Sequence, residues 1–396
     1  MPTMSENRPA STEEFIPLSV PELRGNEWLY LKECLDTGWV SSAGPFVERF
    51  ERQIAAAVGA AHAVAVVNGS AALQIALQVA GVKPGDLVLC SDITFIASAN
   101  AIRYANAEPV LIDCEPDYWQ IDVNLVRRYL SEECERRDGQ VFERARQRRV
   151  SAIMPVHILG HAVDLAPIQA IAAEYGLPVV EDAAEALGTV YRGRRIGSHG
   201  TRATCFSFNG NKILTTGGGG AIVTDDPAVA ARAKYLTTQA KDDPVEYIHS
   251  EIGYNYRMPN MLAAFGCAQL EMLDSYVEKK REIAARYAEA LGGVKGLSVM
   301  PTPPYGESTY WLYTIKIDAE GFGEDWRGVL RRLTELNIQT RPLWEPMHMS
   351  KVHRDCRFVG STISENLYRS CLSLPCSVGL SPSDQDRVIR ALVQRK

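Results

Sequence analysis

The chain has 396 residues, 46% hydrophobic and 23% charged, with a net charge of −6. That is ample length for one large or two ordinary soluble domains, and the mild acidity argues against nucleic acid or an anionic membrane as partner. Nine cysteines with no C-x-x-C pair exclude a disulfide or zinc framework and read as reduced thiols in a cytoplasmic protein. The polar start has no apolar h-region, which argues against a signal peptide, and no stretch has the length of a membrane span.

In chain order, residues 1–15 read as a polar, disordered N-terminus. Residues 16–44, with an amphipathic stretch at 22–35, read as a segment packing on a neighbouring domain. From about 48 to 226 short apolar runs alternate with helical ones. Strands are predicted at 62–67, 87–91, 109–113, 151–156, 178–181, 204–208 and 221–224, and helices at 71–80, 97–105 and 166–175, with Gly81 and Gly176 as stops. The continuous apolar runs suit a sheet covered on both faces, so an α/β doubly wound fold is expected. Ligands in such folds bind beyond the carboxyl ends of strands. Only residues 209–220 separate the last two strands, too few for a helical crossover, so an antiparallel pair is predicted. The mixed-charge run 131–149 reads as a solvated helix or surface insertion. Residues 259–291 read as one long helix ended by Gly292-Gly293. A smaller α+β domain follows, with strand-like pieces at 310–317 and 338–342 and a helix at 326–336. The division is therefore a cofactor domain over 45–258 and a second unit over 259–396.

The chemistry centres on Lys212, on a loop of small polar residues just after a strand, where an amine can form a Schiff base in a closed pocket. Thirty residues upstream, Asp182 ends an apolar strand. A strand-end acid and a loop lysine suggest pyridoxal phosphate, the acid pairing with the pyridinium nitrogen. Asn68-Gly69-Ser70-Ala71 ends a strand and opens a helix, which makes either a plain N-cap or a phosphate site. It is neither G-x-G-x-x-G nor a P-loop, and Gly217–Gly220 fails as a P-loop because its lysine precedes the glycines. Glu185 reads as a ligand of the ring's hydroxyl edge or as a helix-face carboxylate. Ser207 reads as a second phosphate hydroxyl or a serine bonded to backbone, and Phe95 as a ring stacker or core. His157 and His161 have i,i+4 spacing but follow a strand with Gly160 between them, so structural histidines are expected rather than a metal pair.

In order, Asn68-Gly69-Ser70-Ala71, Thr94-Phe95, Pro155-Val156-His157, Glu181-Asp182-Ala183-Ala184, Phe206-Ser207-Phe208-Asn209-Gly210-Asn211-Lys212 and Gly253-Tyr254-Asn255-Tyr256-Arg257-Met258 occur in the chain. This set resembles the DegT/DnrJ/EryC1/StrS family of sugar aminotransferases over nearly the whole sequence. The resemblance implies an aspartate-aminotransferase-like fold (fold type I) with a mixed, mostly parallel seven-stranded sheet. It implies a homodimer with shared active sites. Lys212 becomes the Schiff-base lysine and proton shuttle, Asp182 the pyridinium partner, Gly69, Ser70, Ala71 and Ser207 the phosphate cradle, and Phe95 the stacker. Asn255 would reach the phosphate bound by the neighbouring subunit.

Glu185 stands where many members have Gln or His, and Gly217–Gly220 where many have Gly-Glu-Gly-Gly. Both departures, with Asn-Gly-Asn-Lys, resemble the branch acting on nucleotide-linked 4-keto-6-deoxy sugars, including the legionaminic acid and bacillosamine pathways. Relatives with histidine in place of the lysine are dehydratases, which Lys212 argues against. The expected reaction moves an amino group from L-glutamate, through pyridoxamine phosphate, to the C4 keto group of UDP-2-acetamido-2,6-dideoxy-hexos-4-ulose. Alternatives are a GDP- or dTDP-linked 4-keto sugar, a 3-keto-sugar or cyclitol acceptor, or a non-catalytic regulator on the same scaffold. Trp39, Arg257, Arg341 and His348 are candidates to line the sugar nucleotide, arginine because its fork matches diphosphate oxygens. Each also reads as core, surface ion pair or loop.

Overall fold

The structure is a computed structural model that describes residues 14–243 and 245–394. Most of the expected disordered N-terminus, residues 1–13, lies outside the described residues. All seven predicted strands form: β1 (His62–Val66), β2 (Leu87–Ser91), β3 (Glu108–Ile112), β4 (Arg149–Met154), β5 (Val180–Asp182), β6 (Ala203–Ser207) and β7 (Gly220–Thr224). β2 and β7 are buried at every residue, as their mainly apolar runs require, and β5 is equally buried although it carries Glu181 and Asp182. An eighth strand, β8 (Phe358–Val359), comes from the C-terminal region and pairs with Leu111 and Ile112. Two residues carry no periodicity, so this strand leaves no local pattern to read.

The strand order is β1-β7-β6-β5-β4-β2-β3-β8, with β5 joined to β4 by the parallel bridges Ile153↔Val179 and Val156↔Asp182. The predicted antiparallel pair is present, Ser207 facing Gly220. Of these eight strands β7 alone runs against the others. The carboxyl ends of β1, β2, β4, β5 and β6 therefore share one edge. Helices α3 (Gly69–Val79), α4 (Ala97–Tyr104) and α6 (Leu165–Tyr175) fall where helices were expected, and Gly176 closes α6 at φ 69°; α1 (Glu27–Thr37), α2 (Pro45–Val58) and α5 (Val123–Arg128) complete the set to that point, and α7 (Pro227–Thr237) follows β7.

Two expectations are corrected. Of the two readings of the charged run, the helix is overturned beyond one wide turn at Tyr129–Glu133 and the surface insertion stands, as a hairpin, Cys134–Arg137 against Gln140–Glu143, at the edge of β4. Asp138 and Gly139, at φ 51° and 74°, form its two-residue turn. Asp-Gly supplies the two left-handed residues that such turns need, and that signal was legible. The helix over 259–291 breaks at Met272 into α8 (Asn260–Glu271) and α9 (Leu273–Leu291). α1 packs on α8. Leu297–Val299, Tyr313–Ile317, Cys371–Leu374 and Arg341–Pro342 form a separate antiparallel sheet. Among the described residues no helix is long and apolar enough to cross a membrane.

A buried polar network lies under β5. Val163 N donates to His157 Nδ1 at 3.1 Å, so Nε2 carries the proton and donates to Glu181 at 2.8 Å. Thr204 Oγ1 donates to the same carboxylate at 2.8 Å, and Thr201 adds a third hydrogen bond. Burial pushes the Glu181 carboxyl up, but His157 and the two hydroxyls outweigh it and hold it low. Glu181→Ala strands three donors in a dry interior and is expected to cost about 3 kcal/mol, seen as a lower urea midpoint. An unchanged midpoint would contradict this account of the network.

Candidate active site

The shared strand edge brings the predicted residues into one cavity of about 310 Å³, lined among others by Gly69, Ser70, Phe95, Asp182, Glu185, Ser207 and Lys212. A more open hollow of about 640 Å³ around Gln169, Gly200 and Asp225 lies at the opposite edge of the sheet and holds none of them.

After β1 the chain turns into α3 with Asn68 as N-cap in extended conformation, its Oδ1 accepting from Ala71 N at 2.8 Å. The Ala71 amide is thus taken by the cap, while Gly69 and Ser70 open on the cavity. This helix start sits directly on the β6–β7 pair. A Cβ on Gly220 would fall 2.6 Å from the Asn68 carbonyl, and one on Gly69 would fall 2.8 Å from Ser207 Cβ. The glycines let the Ser207 side chain and the helix N-terminus converge on one small anion-sized space. Gly220→Ala must push the helix start outward. Its expected cost is about 1–3 kcal/mol of stability together with weaker phosphate binding, measured by urea unfolding and by cofactor titration of the apoprotein.

Asp182 ends β5 and is 4% exposed. Ser98, on α4, donates to its Oδ2 at 2.6 Å, and Ala184 N to its Oδ1 at 3.0 Å. Burial pushes its carboxyl up against those donors and the Lys212 charge, so a cationic ring N–H brought to it would be strongly favoured. Glu185, three residues on, is a buried wall residue rather than an exposed helix-face acid. Its Oε2 accepts from Leu159 N at 2.8 Å. Burial pushes it up to about 7, opposed by Lys212 and by that amide. The folded state therefore keeps a proton that the unfolded chain, near the ordinary 4.5, has already lost. The Glu185 contribution to the stability of the cofactor-free protein therefore falls as pH rises from about 4.5 to about 7. Urea midpoints at pH 5 and pH 7.5 should differ in that direction, and Glu185→Gln should reduce the difference.

The Lys212 side chain is 12% exposed, and its Nζ lies 3.5 Å from Glu185 Oε1. Nζ also sits 3.8 Å from the centre of the Trp311 ring. Phe95, 54% exposed, stands at the cavity mouth. Trp311 and Trp344 complete the wall, their rings parallel within 9°. Sequence reasoning missed both tryptophans, which lie 99 and 132 residues beyond Lys212 with no local motif. It also missed Ser98, hidden inside a helical pattern.

The remaining candidates do not line this cavity. Asn255 is exposed, Trp39 is 51% exposed rather than core, and Arg257 pairs with Glu51 in a mostly buried contact. Arg341 donates to Thr340 O at 3.0 Å. His348 Nδ1 lies 2.7 Å from Asp92 Oδ2, and its ring stacks on Phe358. His157 is spent on Glu181, and His161 packs edge-on against Tyr310.

The donor set fits pyridoxal phosphate: a helix start and hydroxyls for the phosphate, a buried acid for the ring nitrogen, and an amine held in the cavity. Fold and cavity together define a pyridoxal phosphate-dependent aminotransferase of fold type I. The chain belongs to the DegT/DnrJ/EryC1/StrS aminotransferase family, whose profile matches residues 21–393. EpsN of Bacillus subtilis, named as a pyridoxal phosphate-dependent aminotransferase, is 41% identical over 96% of this chain and 95% of its own length. GDP-perosamine synthase of Caulobacter vibrioides is 38% identical over 96% of this chain and 98% of its own. Among solved structures, DesV of S. venezuelae in complex with a ketimine intermediate superposes with a TM-score of 0.84 and 32% identity, covering 94% of this chain and 95% of that one.

Proposed function

We propose that the protein transfers an amino group from glutamate to the C4 keto group of a nucleotide-linked 4-keto-6-deoxy sugar. The observation that carries this is the Lys212 amine, held within the cavity beside Glu185 and across from the helix start at Gly69 and Ser70. Bound there, pyridoxal phosphate supplies a carbonyl carbon for the amine and an electron-withdrawing ring. Gly69, Ser70 and Ser207 would hold the phosphate, with Ala71 beside them in the same helix turn. Asp182 would keep the ring nitrogen protonated, and Phe95 would cover a ring face. With the cofactor bound, the free Lys212 amine would be the base that takes the proton from Cα of the donor and gives it back on the acceptor side of the transfer. With the keto sugar the same proton moves run in reverse.

UDP-2-acetamido-2,6-dideoxy-hexos-4-ulose is the acceptor the sequence branch supports. A GDP-linked 4-keto sugar is the second reading, favoured by the 38% identity to a GDP-perosamine synthase. A 310 Å³ cavity holds little beyond the cofactor and the reacting sugar carbon, so the nucleotide would lie outside it. Exposed Trp39 and Arg341 and a second copy of the chain, contributing Asn255, are proposed to complete the site as a homodimer; Arg257 and His348 are held by Glu51 and Asp92, outside this cavity. Nine unpaired, buried thiols suit the cytoplasm. The test is a panel of UDP-, GDP- and dTDP-linked 4-keto sugars and 3-keto sugars with glutamate, with the product read by NMR. A C4 amine on one of the 4-keto sugars is expected. Turnover of 3-keto acceptors alone, or none at all with cofactor bound, would overturn the proposal.

A further inference from the structure

We infer that Trp311 is a positioning residue that keeps the released Lys212 amine inside the cavity between its bonded states, a role resting on the reading of Lys212 above. Amine transfer requires Lys212 to leave the cofactor and yet stay within reach of the proton it moves. A lysine stem is flexible, and its ammonium is strongly hydrated, so a free Lys212 would tend to swing toward water. The indole of Trp311 opposes this. Its face lies 3.8 Å from Nζ, within the range of a cation–π contact, while Glu185 holds the amine from another direction at 3.5 Å.

The indole is itself fixed on three sides. Its Nε1 donates to Asn211 O at 2.7 Å, tying it to the residue beside Lys212. Trp344 stacks parallel to it. Behind it, Lys280 is 3% exposed in the middle of α9, a placement that lysine rarely takes without partners. Its Nζ donates to Trp311 O at 2.8 Å and to Cys376 O at 2.5 Å. A buried ammonium is thus committed to the Trp311 backbone. The ring cannot turn without breaking the Asn211 hydrogen bond and the Trp344 stack, and Lys280 anchors the backbone that carries it, so the indole defines where a free Lys212 amine rests.

The test has two arms. In the first, apoprotein lysines are reductively methylated with ¹³C-formaldehyde, and Lys212→Met identifies the Lys212 signal. Those methyl resonances are expected upfield of the other lysines through the indole ring current, in Trp311→Phe as well, but not in Trp311→Leu. In the second, the single-turnover rate of the loaded enzyme with glutamate should fall on the order of 10-fold in Trp311→Leu and stay within about 3-fold in Trp311→Phe. Half-saturating glutamate should not change. Phe and Leu both lose the Nε1 donor, so rescue by Phe isolates the ring face. A Lys212 signal with no upfield displacement in the parent protein overturns the inference, even if Trp311→Leu fails to fold. So does a Leu variant as fast as the parent, or a Phe variant as slow as Leu. Should glutamate not be the donor, the second arm is silent in every protein while the displaced signal remains.

Discussion

Lys212→Ala is expected to lower amino transfer by about 10²–10⁴-fold, the contribution of one positioned proton-transfer base, with further loss because no amine remains to bond the cofactor. The fold should survive. The side chain projects into a cavity rather than into packed core, and its removal leaves Glu185 with the Leu159 amide still donating to it. Circular dichroism and gel filtration should match the parent protein while turnover collapses. Lys212→Arg distinguishes charge from chemistry: it keeps a cation beside Glu185 and Trp311 but offers no nucleophilic amine, and it should be as inactive as the alanine variant. Arginine activity near the parent level would mean that Lys212 acts only as a charge.

Asp182→Ala is expected to weaken cofactor binding and slow turnover by a combined effect of about 2–5 kcal/mol, the loss found when one member of a buried charge pair is truncated. The carboxylate is fixed before any ligand arrives, by Ser98 at 2.6 Å and Ala184 N at 3.0 Å, with Cys205 opposite it on β6. Asp182→Asn keeps the shape and can accept hydrogen bonds, but it cannot favour a protonated ring nitrogen. It should therefore bind the cofactor better than the alanine variant while staying slow, a split read by cofactor titration and single-turnover kinetics. An asparagine variant with parental rates would remove the ring-nitrogen role from Asp182.

Much of this was legible because the parallel sheet is buried on both faces. Continuous apolar runs such as 87–91 and 221–224 have no other economical use, and a connection of twelve residues forces β6 and β7 to be antiparallel. Asp182 and Lys212 were legible for the same reason, since strand ends in such folds share an edge. Glu185 was ambiguous: a carboxylate three residues after Asp182 fits a helix face equally well, and only the turn that buries it against Leu159 decides. Contacts that join distant segments left no trace in local pattern. Ser98 meets Asp182 across 84 residues, and Trp311 meets Lys212 across about a hundred. The Asp138-Gly139 hairpin was readable but was masked by the charge of its strands.

The central claim is that Lys212 is the residue through which the cofactor is bound and the amino group moved. The most direct measurement is borohydride reduction of the pyridoxal phosphate-loaded protein, followed by proteolysis and mass mapping. The account predicts one phosphopyridoxyl group per chain, on the peptide containing Lys212, and none there in Lys212→Arg. A label on another lysine, or spread over surface lysines with Lys212 unmodified, would contradict it.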